Sequence, residues 1–92
     1  MDDNTMFYEL SARYDARKSF YGKAHVIERD DCKTLISYET PVMRISGSTI
    51  FRADGQPESN TTSRHMCEFA RQNGFPPMSK KALMELEVDP TL

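Results

Sequence analysis

The sequence predicts an α+β fold, in which an antiparallel sheet of about four strands has one helix packed on a face and a short second helix. Short stretches rich in β-branched residues fill residues 23–52, and the start, body and stop signals of a helix follow over residues 59–75. Short connections favour antiparallel hairpins, because a parallel crossover needs about a dozen residues or more. We expect a single domain over residues 1–92, with residues 87–92 a frayed tail.

The strand segments follow from alternation and composition. Residues 5–13 fit a short strand or a one-turn helix about equally well, and we favour the strand. The remaining segments form a meander: residues 23–28, 32–38, 42–45 and 49–52. Pro41 lacks the N–H that a strand ladder needs, so we expect a break or an edge position there, with Val42 and Ile45 facing different sides of the sheet.

Residues 59–75 carry the clearest single signal in the chain. Hydroxyl and amide side chains at residues 60–63 can accept hydrogen bonds from the free N–H groups of a first helical turn, and Gly74 supplies the left-handed residue that closes a last turn. The stripe expected to pack on the sheet is Met66, Phe69, Ala70 and Asn73. The residues expected to face water are Arg64, Glu68 and Arg71. Two prolines end this helix, and Ser79 can cap a short second helix over residues 80–86.

Composition narrows the class of protein. The chain has 92 residues and a formal charge of −2, from 12 Lys and Arg against 14 Asp and Glu, which gives no general attraction for phosphate. A domain of this size leaves little room for a deep pocket, so action at the surface is expected. The apolar runs are far shorter than a membrane span, and the acidic start Met-Asp-Asp-Asn is unlike a signal peptide. We therefore expect a cytoplasmic protein that does not bind membranes.

Catalytic and metal chemistry find little support in the sequence. His25 and His65 are the only histidines, and a structural role is expected for both. Cys32 and Cys67 lack the spacing of zinc ligands, which favours buried free thiols. A pairing of Ser63 or Cys67 with His65 is disfavoured, because successive helix positions point about 100° apart. We expect no enzymatic activity, no metal and no cofactor; an enzyme would need a pocket that holds a histidine with a thiol or a carboxylate.

Two segments rich in basic residues can form one positive face if they meet in space. Residues 13–23 hold four bases with Asp15 as the only acid, and residues 64–81 hold four with Glu68 as the only acid. The predicted partner-binding residues are Arg13, Arg17, Lys18, Lys23, Arg64 and Arg71. A solvated surface of mixed charge is the alternative. The aromatic residues among the first bases suit nucleic-acid stacking, a protein interface or the core: Tyr14, Phe20 and Tyr21.

Several blocks of the sequence resemble a known family. They are RKSFYGKAHVI over residues 17–27, LISYETPV over 35–42, TTSRH over 61–65, EF at 68–69 and QNGF over 72–75. The pattern is similar to that of a group of small uncharacterised proteins carried by plasmids, conjugative elements and phages of gut and related bacteria. The resemblance implies a mobile-element setting, and it assigns a role to no residue.

The resemblance and the predicted surface lead to one functional expectation. We expect a non-enzymatic phage or plasmid accessory protein that binds and inhibits a bacterial defence complex in the cytoplasm of the host bacterium, in the manner of an anti-CRISPR protein. Its partner would be a protein, such as a CRISPR effector complex. The alternative is a small nucleic-acid-binding module or regulator, whose affinity would fall steeply with salt. The sequence leaves open whether the chain is a monomer or a homodimer that forms through an open sheet edge.

Overall fold

A computed structural model of the chain describes residues 5–16 and 19–92. Its elements, in chain order, are β1 (Thr5–Glu9), β2 (Ala24–Arg29), β3 (Cys32–Ser37), β4 (Thr40–Ser46), β5 (Thr49–Arg52), α1 (Asn60–Gln72) and α2 (Lys80–Met84). The strands form one antiparallel sheet in the order β1-β2-β3-β4-β5. The predicted α+β fold is confirmed, and the strand favoured within residues 5–13 is confirmed at residues 5–9, which pair with β2 and bring the sheet to five strands.

Two-residue turns join the central strands, and one of them has an unusual composition. Gly47 opens the β4–β5 turn at φ +60°, a conformation that glycine adopts without steric penalty. The β3–β4 turn instead places Tyr38 at φ 50° and Glu39 at φ 72°. Turns with two left-handed residues normally use Asn and Gly, because a Cβ crowds the backbone there. The β3–β4 turn therefore carries backbone strain.

A bulge lets the sheet accommodate its internal proline. Leu35 pairs with Met43 and Ile36 pairs with Pro41, so Val42 is an extra residue in β4. Val42 and Met43 are consequently both buried, although they are neighbours in a strand. The expectation that Val42 and Ile45 face different sides is wrong, because the bulge brings both side chains into one core cluster.

Helix α1 begins and ends with capping contacts. Ser59 is the N-cap, and its hydroxyl accepts from the Thr62 N–H, so the cap lies one residue before the predicted 60–63 segment. At the other end, Gly74 has φ +91°, and its N–H donates to the Arg71 carbonyl. The Phe75 N–H donates to the Ala70 carbonyl, which completes a Schellman motif. These contacts fix the length and direction of the helix.

The core lies between α1 and the sheet. Met66, Phe69 and Ala70 are fully buried, as the helical spacing predicted. Burial of the first two side chains contributes about 1.5–3 kcal/mol each, relative to leaving them in water. The fourth residue of the predicted stripe, Asn73, is half-buried and lies at the edge of the core. It accepts a 2.7 Å hydrogen bond from the Lys33 ammonium and donates to the Phe69 carbonyl.

The C-terminal segment is attached to the sheet. Ser79 caps α2 as predicted, and Leu83 anchors this short helix with none of its surface exposed. The tail from residue 87 was expected to fray, but Val88 forms a parallel bridge with Arg52 of β5. An ion pair of 2.9 Å also joins Asp89 to Arg44 on β4. Backbone pairing that covers an open strand is the physical reason for this difference.

Candidate partner-binding surface

Glu68 ties the loop that follows β1 to helix α1. Its Oε1 accepts from the backbone N–H groups of Tyr14 and Asp15, at 2.8 and 2.9 Å. Its Oε2 accepts from the Gln72 amide, which also donates to the Ser11 carbonyl. The expectation that Glu68 faces water is wrong, since only 2% of the residue is exposed. A buried carboxylate needs such donors, and here the loop itself supplies them.

Two arginines of α1 extend this attachment at the surface. The Arg64 Nε lies 3.8 Å from Asp15 Oδ2, an ion pair between a partly exposed base and a mostly covered acid. The Arg71 guanidinium lies over the Tyr14 ring, 4.4 Å from its centroid. A cation above an aromatic face is attracted by the ring quadrupole, by about 0.5–1 kcal/mol at an exposed site. These contacts hold Tyr14 in place while half of its surface stays in contact with water.

Two adjacent cavities bring basic and aromatic side chains together. Arg64 and Arg71 line the first cavity beside Tyr14. Arg64 and Lys23 line the second one, beside two further tyrosine rings. Because Arg64 belongs to both cavities, the three cations form a row, and Asp15, which is paired with Arg64, lines the first cavity with them. We call this area the basic-aromatic surface and define it as Lys23, Arg64, Arg71, Tyr14, Tyr21 and Tyr38.

The predicted partner-binding residues fall into three groups. Lys23, Arg64 and Arg71 are brought together in the row just described. Arg13 is exposed in the loop held by Glu68, next in sequence to Tyr14. Arg17 and Lys18 lie outside the described residues.

Two tyrosines of the surface stand at strained backbone positions. Tyr21 has φ 53° and is 73% exposed, and Tyr38 has φ 50° and is 51% exposed. Residues other than glycine, asparagine and aspartate adopt this region rarely, and such outliers cluster at functional sites. Tyr38 also lies under the Lys23 ammonium, 5.9 Å from the ring centroid. The strand predicted over residues 32–38 included Tyr38, but β3 ends at Ser37 and Tyr38 stands in the two-residue turn that follows it.

His65 forms the floor of the second cavity. Its Nδ1 lies 2.8 Å from the Ser37 hydroxyl, and the Phe20 ring packs edge-on against it at 4.7 Å between centroids. Burial lowers the pKa of His65, and the negative charge of Asp15 opposes this only in part. The imidazole is therefore neutral near pH 7, as suits a side chain that packs and accepts or donates one buried hydrogen bond.

Of the other groups considered for chemistry, Cys67 lines the first cavity, whereas His25 lies on the opposite side of the sheet. His25 stacks on Phe7 at 5.1 Å between ring centroids, on the sheet face away from α1. Cys32 and Cys67 are free and half-buried. Across residues 5–16 and 19–92, no group of three His, Cys, Asp or Glu side chains converges in a way that could hold a metal ion. Neither helix in that part of the chain is long and apolar enough to cross a membrane.

Comparison with known proteins places the chain in a family. A family of unknown function, DUF8033, matches residues 8–85. The chain belongs to this family. The DUF8033 match spans the whole basic-aromatic surface, from Tyr14 to Arg71, and begins within β1. Searches of curated proteins and of solved structures find no significant match.

Proposed function

We propose that this DUF8033 protein is a non-enzymatic binding protein and that the basic-aromatic surface is where it contacts its partner. The observation that carries the proposal is the pair Tyr21 and Tyr38, exposed rings at strained positions beside one cavity. A chain selected for stability alone would place Gly or Asn at such positions and would bury its rings. Tyrosines that are kept at strained, exposed positions are therefore explained if their side chains are needed for binding.

The chemistry of the surface defines the kind of partner. Tyrosine and arginine are the side chains that most often dominate the energy of protein interfaces, because each offers a large contact area and directional hydrogen bonds. The row of Lys23, Arg64 and Arg71 favours an acidic surface opposite it. The contacts of Glu68 hold the loop in place before binding, which lowers the entropy lost on association.

The partner that we propose is a bacterial defence complex. In this proposal the protein belongs to a phage or plasmid and acts in the cytoplasm of the host, where it inhibits a CRISPR effector complex by stoichiometric binding. The resemblance of its sequence blocks to proteins of mobile elements supports the setting. The basic row supports contact with an acidic patch on such a complex, because complementary charges steer and orient association between proteins.

A plating assay tests the inhibitor directly. Bacteria whose CRISPR effector targets a phage are made to express the protein, and plaque formation is counted for a panel of effector types. We expect wild-type protein to restore plaques for one effector type and the Lys23→Glu/Arg64→Glu variant to lose this effect. Lys80→Glu/Lys81→Glu is the matched control, because it makes the same charge change at exposed residues of α2 and should keep the effect. If the wild-type protein restores plaques for none of the effector types, the proposal that it inhibits a CRISPR effector is refuted.

Direct nucleic-acid binding is the second candidate, and the rings of Tyr21 and Tyr38 beside Lys23 favour it specifically. Base stacking on such rings with a cation for the phosphate is how many proteins hold single strands. Fluorescence anisotropy with single-stranded DNA and RNA measures it. Binding that weakens steeply with salt, and that loses about 1–3 kcal/mol on Tyr21→Ala, would establish this function. A protein-binding inhibitor would leave the labelled strands free.

A further inference from the structure

The two edges of the sheet differ in how far other parts of the chain cover them. The Arg52 N–H on β5 donates to the Glu87 carbonyl, and the Asp89 N–H donates to the Arg52 carbonyl, so the tail covers part of that edge. At the other side of the sheet, within residues 5–16 and 19–92, no strand pairs with the outer edge of β1. Unpaired strand edges are templates for association, and proteins usually protect them.

The hydrogen-bond pattern tells which groups of β1 point outward. The Leu10 N–H donates to the Ala24 carbonyl, at the end of the β1–β2 ladder. In an antiparallel ladder, inward-bonded and outward-pointing residues alternate. Tyr8 and Met6 therefore bond to β2. The backbone N–H and C=O groups that point away from the sheet belong to Thr5, Phe7 and Glu9.

Apart from Glu9, the side chains of β1 lack the features that discourage pairing. The strand reads Thr-Met-Phe-Tyr-Glu, without lysine, proline or a bulge. Met6 is 58% exposed and Phe7 is 65% exposed. Consecutive exposed apolar residues on an edge strand are the usual mark of an association site rather than of a free edge.

We propose that β1 pairs with β1 of a second copy of this chain, antiparallel about a two-fold axis at Phe7, and so joins two sheets into one. In this register the outward-pointing groups of each strand meet those of the other. Phe7 faces Phe7 of the second copy across the axis, and each Thr5 faces a Glu9. On the other face of the sheet each Tyr8 stands opposite a Met6, and aromatic–sulfur contacts of this kind are favourable.

Strand length and charge together favour this register, because an axis at Phe7, the central residue of Thr5–Glu9, pairs all five residues of each strand. With Phe7 on the axis, the one charged side chain of the strand, Glu9, meets the hydroxyl of Thr5 and no other acid. A register centred on Glu9 would oppose two carboxylates directly, which is destabilising. The strand is thus complementary to itself. Because five residues a side form a small interface, the dimer belongs to the weak and concentration-dependent class.

Sedimentation velocity between about 1 µM and about 1 mM tests the dimer. We expect the wild-type protein to shift from monomer to dimer over this range. Phe7→Lys should remain monomeric throughout, since it places two like charges on the axis. Met84→Lys, which also replaces a half-exposed apolar side chain but lies on α2, should dimerise as the wild type does. A wild-type protein that is monomeric at the highest concentration overturns the proposal.

Amide hydrogen exchange of the wild-type protein gives a second, independent readout. The N–H groups of Phe7 and Glu9 should exchange more slowly as concentration rises, because only dimerisation bonds them. Those of Met6 and Tyr8, already bonded to β2, serve as internal controls and should change little. A dimer that forms without slowing exchange at Phe7 and Glu9 would show that another surface mediates it, and would refute the proposed pairing.

Discussion

Replacement of Glu68 by alanine should release the loop of residues 11–16 from α1. The side chain accepts two backbone hydrogen bonds at 2.8 and 2.9 Å and one side-chain bond at 2.6 Å. Hydrogen bonds to a charged group contribute about 1.5–3 kcal/mol each. The freed N–H groups of the loop can regain water, so we take the lower end for the two backbone bonds and expect a loss of about 3 kcal/mol.

The conservative change Glu68→Gln separates the role of the charge from that of the shape. Its remaining oxygen can still accept from Tyr14 and Asp15, but its NH₂ group would stand against the Gln72 amide. We expect a smaller loss, of about 1 kcal/mol. Glu58→Ala, at an exposed glutamate just before α1, is the matched control and should change stability by less than about 0.5 kcal/mol.

Urea unfolding followed by far-UV circular dichroism measures these differences. A loss of about 3 kcal/mol corresponds to a melting temperature lower by about 12–24 °C in a domain of this size. If Glu68→Ala unfolds within about 0.5 kcal/mol of the wild type, the loop is not held by this carboxylate and the preorganisation of the basic-aromatic surface loses its basis.

Two further predictions concern the turn at Tyr38 and the buried imidazole. Tyr38→Asn/Glu39→Gly should raise the unfolding free energy by about 1 kcal/mol, because Asn and Gly adopt the left-handed conformation of this turn with less steric strain. The same variant should bind the partner more weakly. A variant that is less stable than the wild type in thermal unfolding would show that the turn is not strained. His65 has a pKa below the ordinary histidine value, so the unfolded chain takes up this proton first as pH falls through the histidine range. Stability should therefore decline below about pH 6.5, and His65→Gln should show a shallower decline in urea titrations at several pH values; an unchanged slope would exclude His65 as the cause.

Much of the fold is encoded locally and could be predicted. The strands follow from alternation over a few residues, and α1 follows from its spacing and from Gly74, whose left-handed conformation is a local requirement. The burial of Glu68 could not be predicted this way, because its donors at Tyr14 and Asp15 lie more than fifty residues earlier in the chain. The bulge at Val42 depends equally on the strand opposite.

The basic residues of the candidate site were predicted from the sequence, whereas one of its tyrosines was not. The clustering of bases in two segments indicated that Lys23 and Arg64 could share a face, and their common cavity brings them together. Tyr38 carries no charge, and its predicted place was inside the strand over residues 32–38. Its exposure follows from a turn whose composition is unusual for its backbone, which only the three-dimensional structure reveals.

Affinity capture of a host partner tests the role of the basic-aromatic surface most directly. Immobilised wild-type protein, Lys23→Glu/Arg64→Glu and Lys80→Glu/Lys81→Glu are each exposed to nuclease-treated bacterial lysate, and the bound proteins are quantified by mass spectrometry. We expect the wild type and the α2 variant to retain the same defence complex in stoichiometric amount, and the surface variant to retain none. Equal retention by both variants would contradict the account, because the cations between the tyrosines would then contribute nothing to binding.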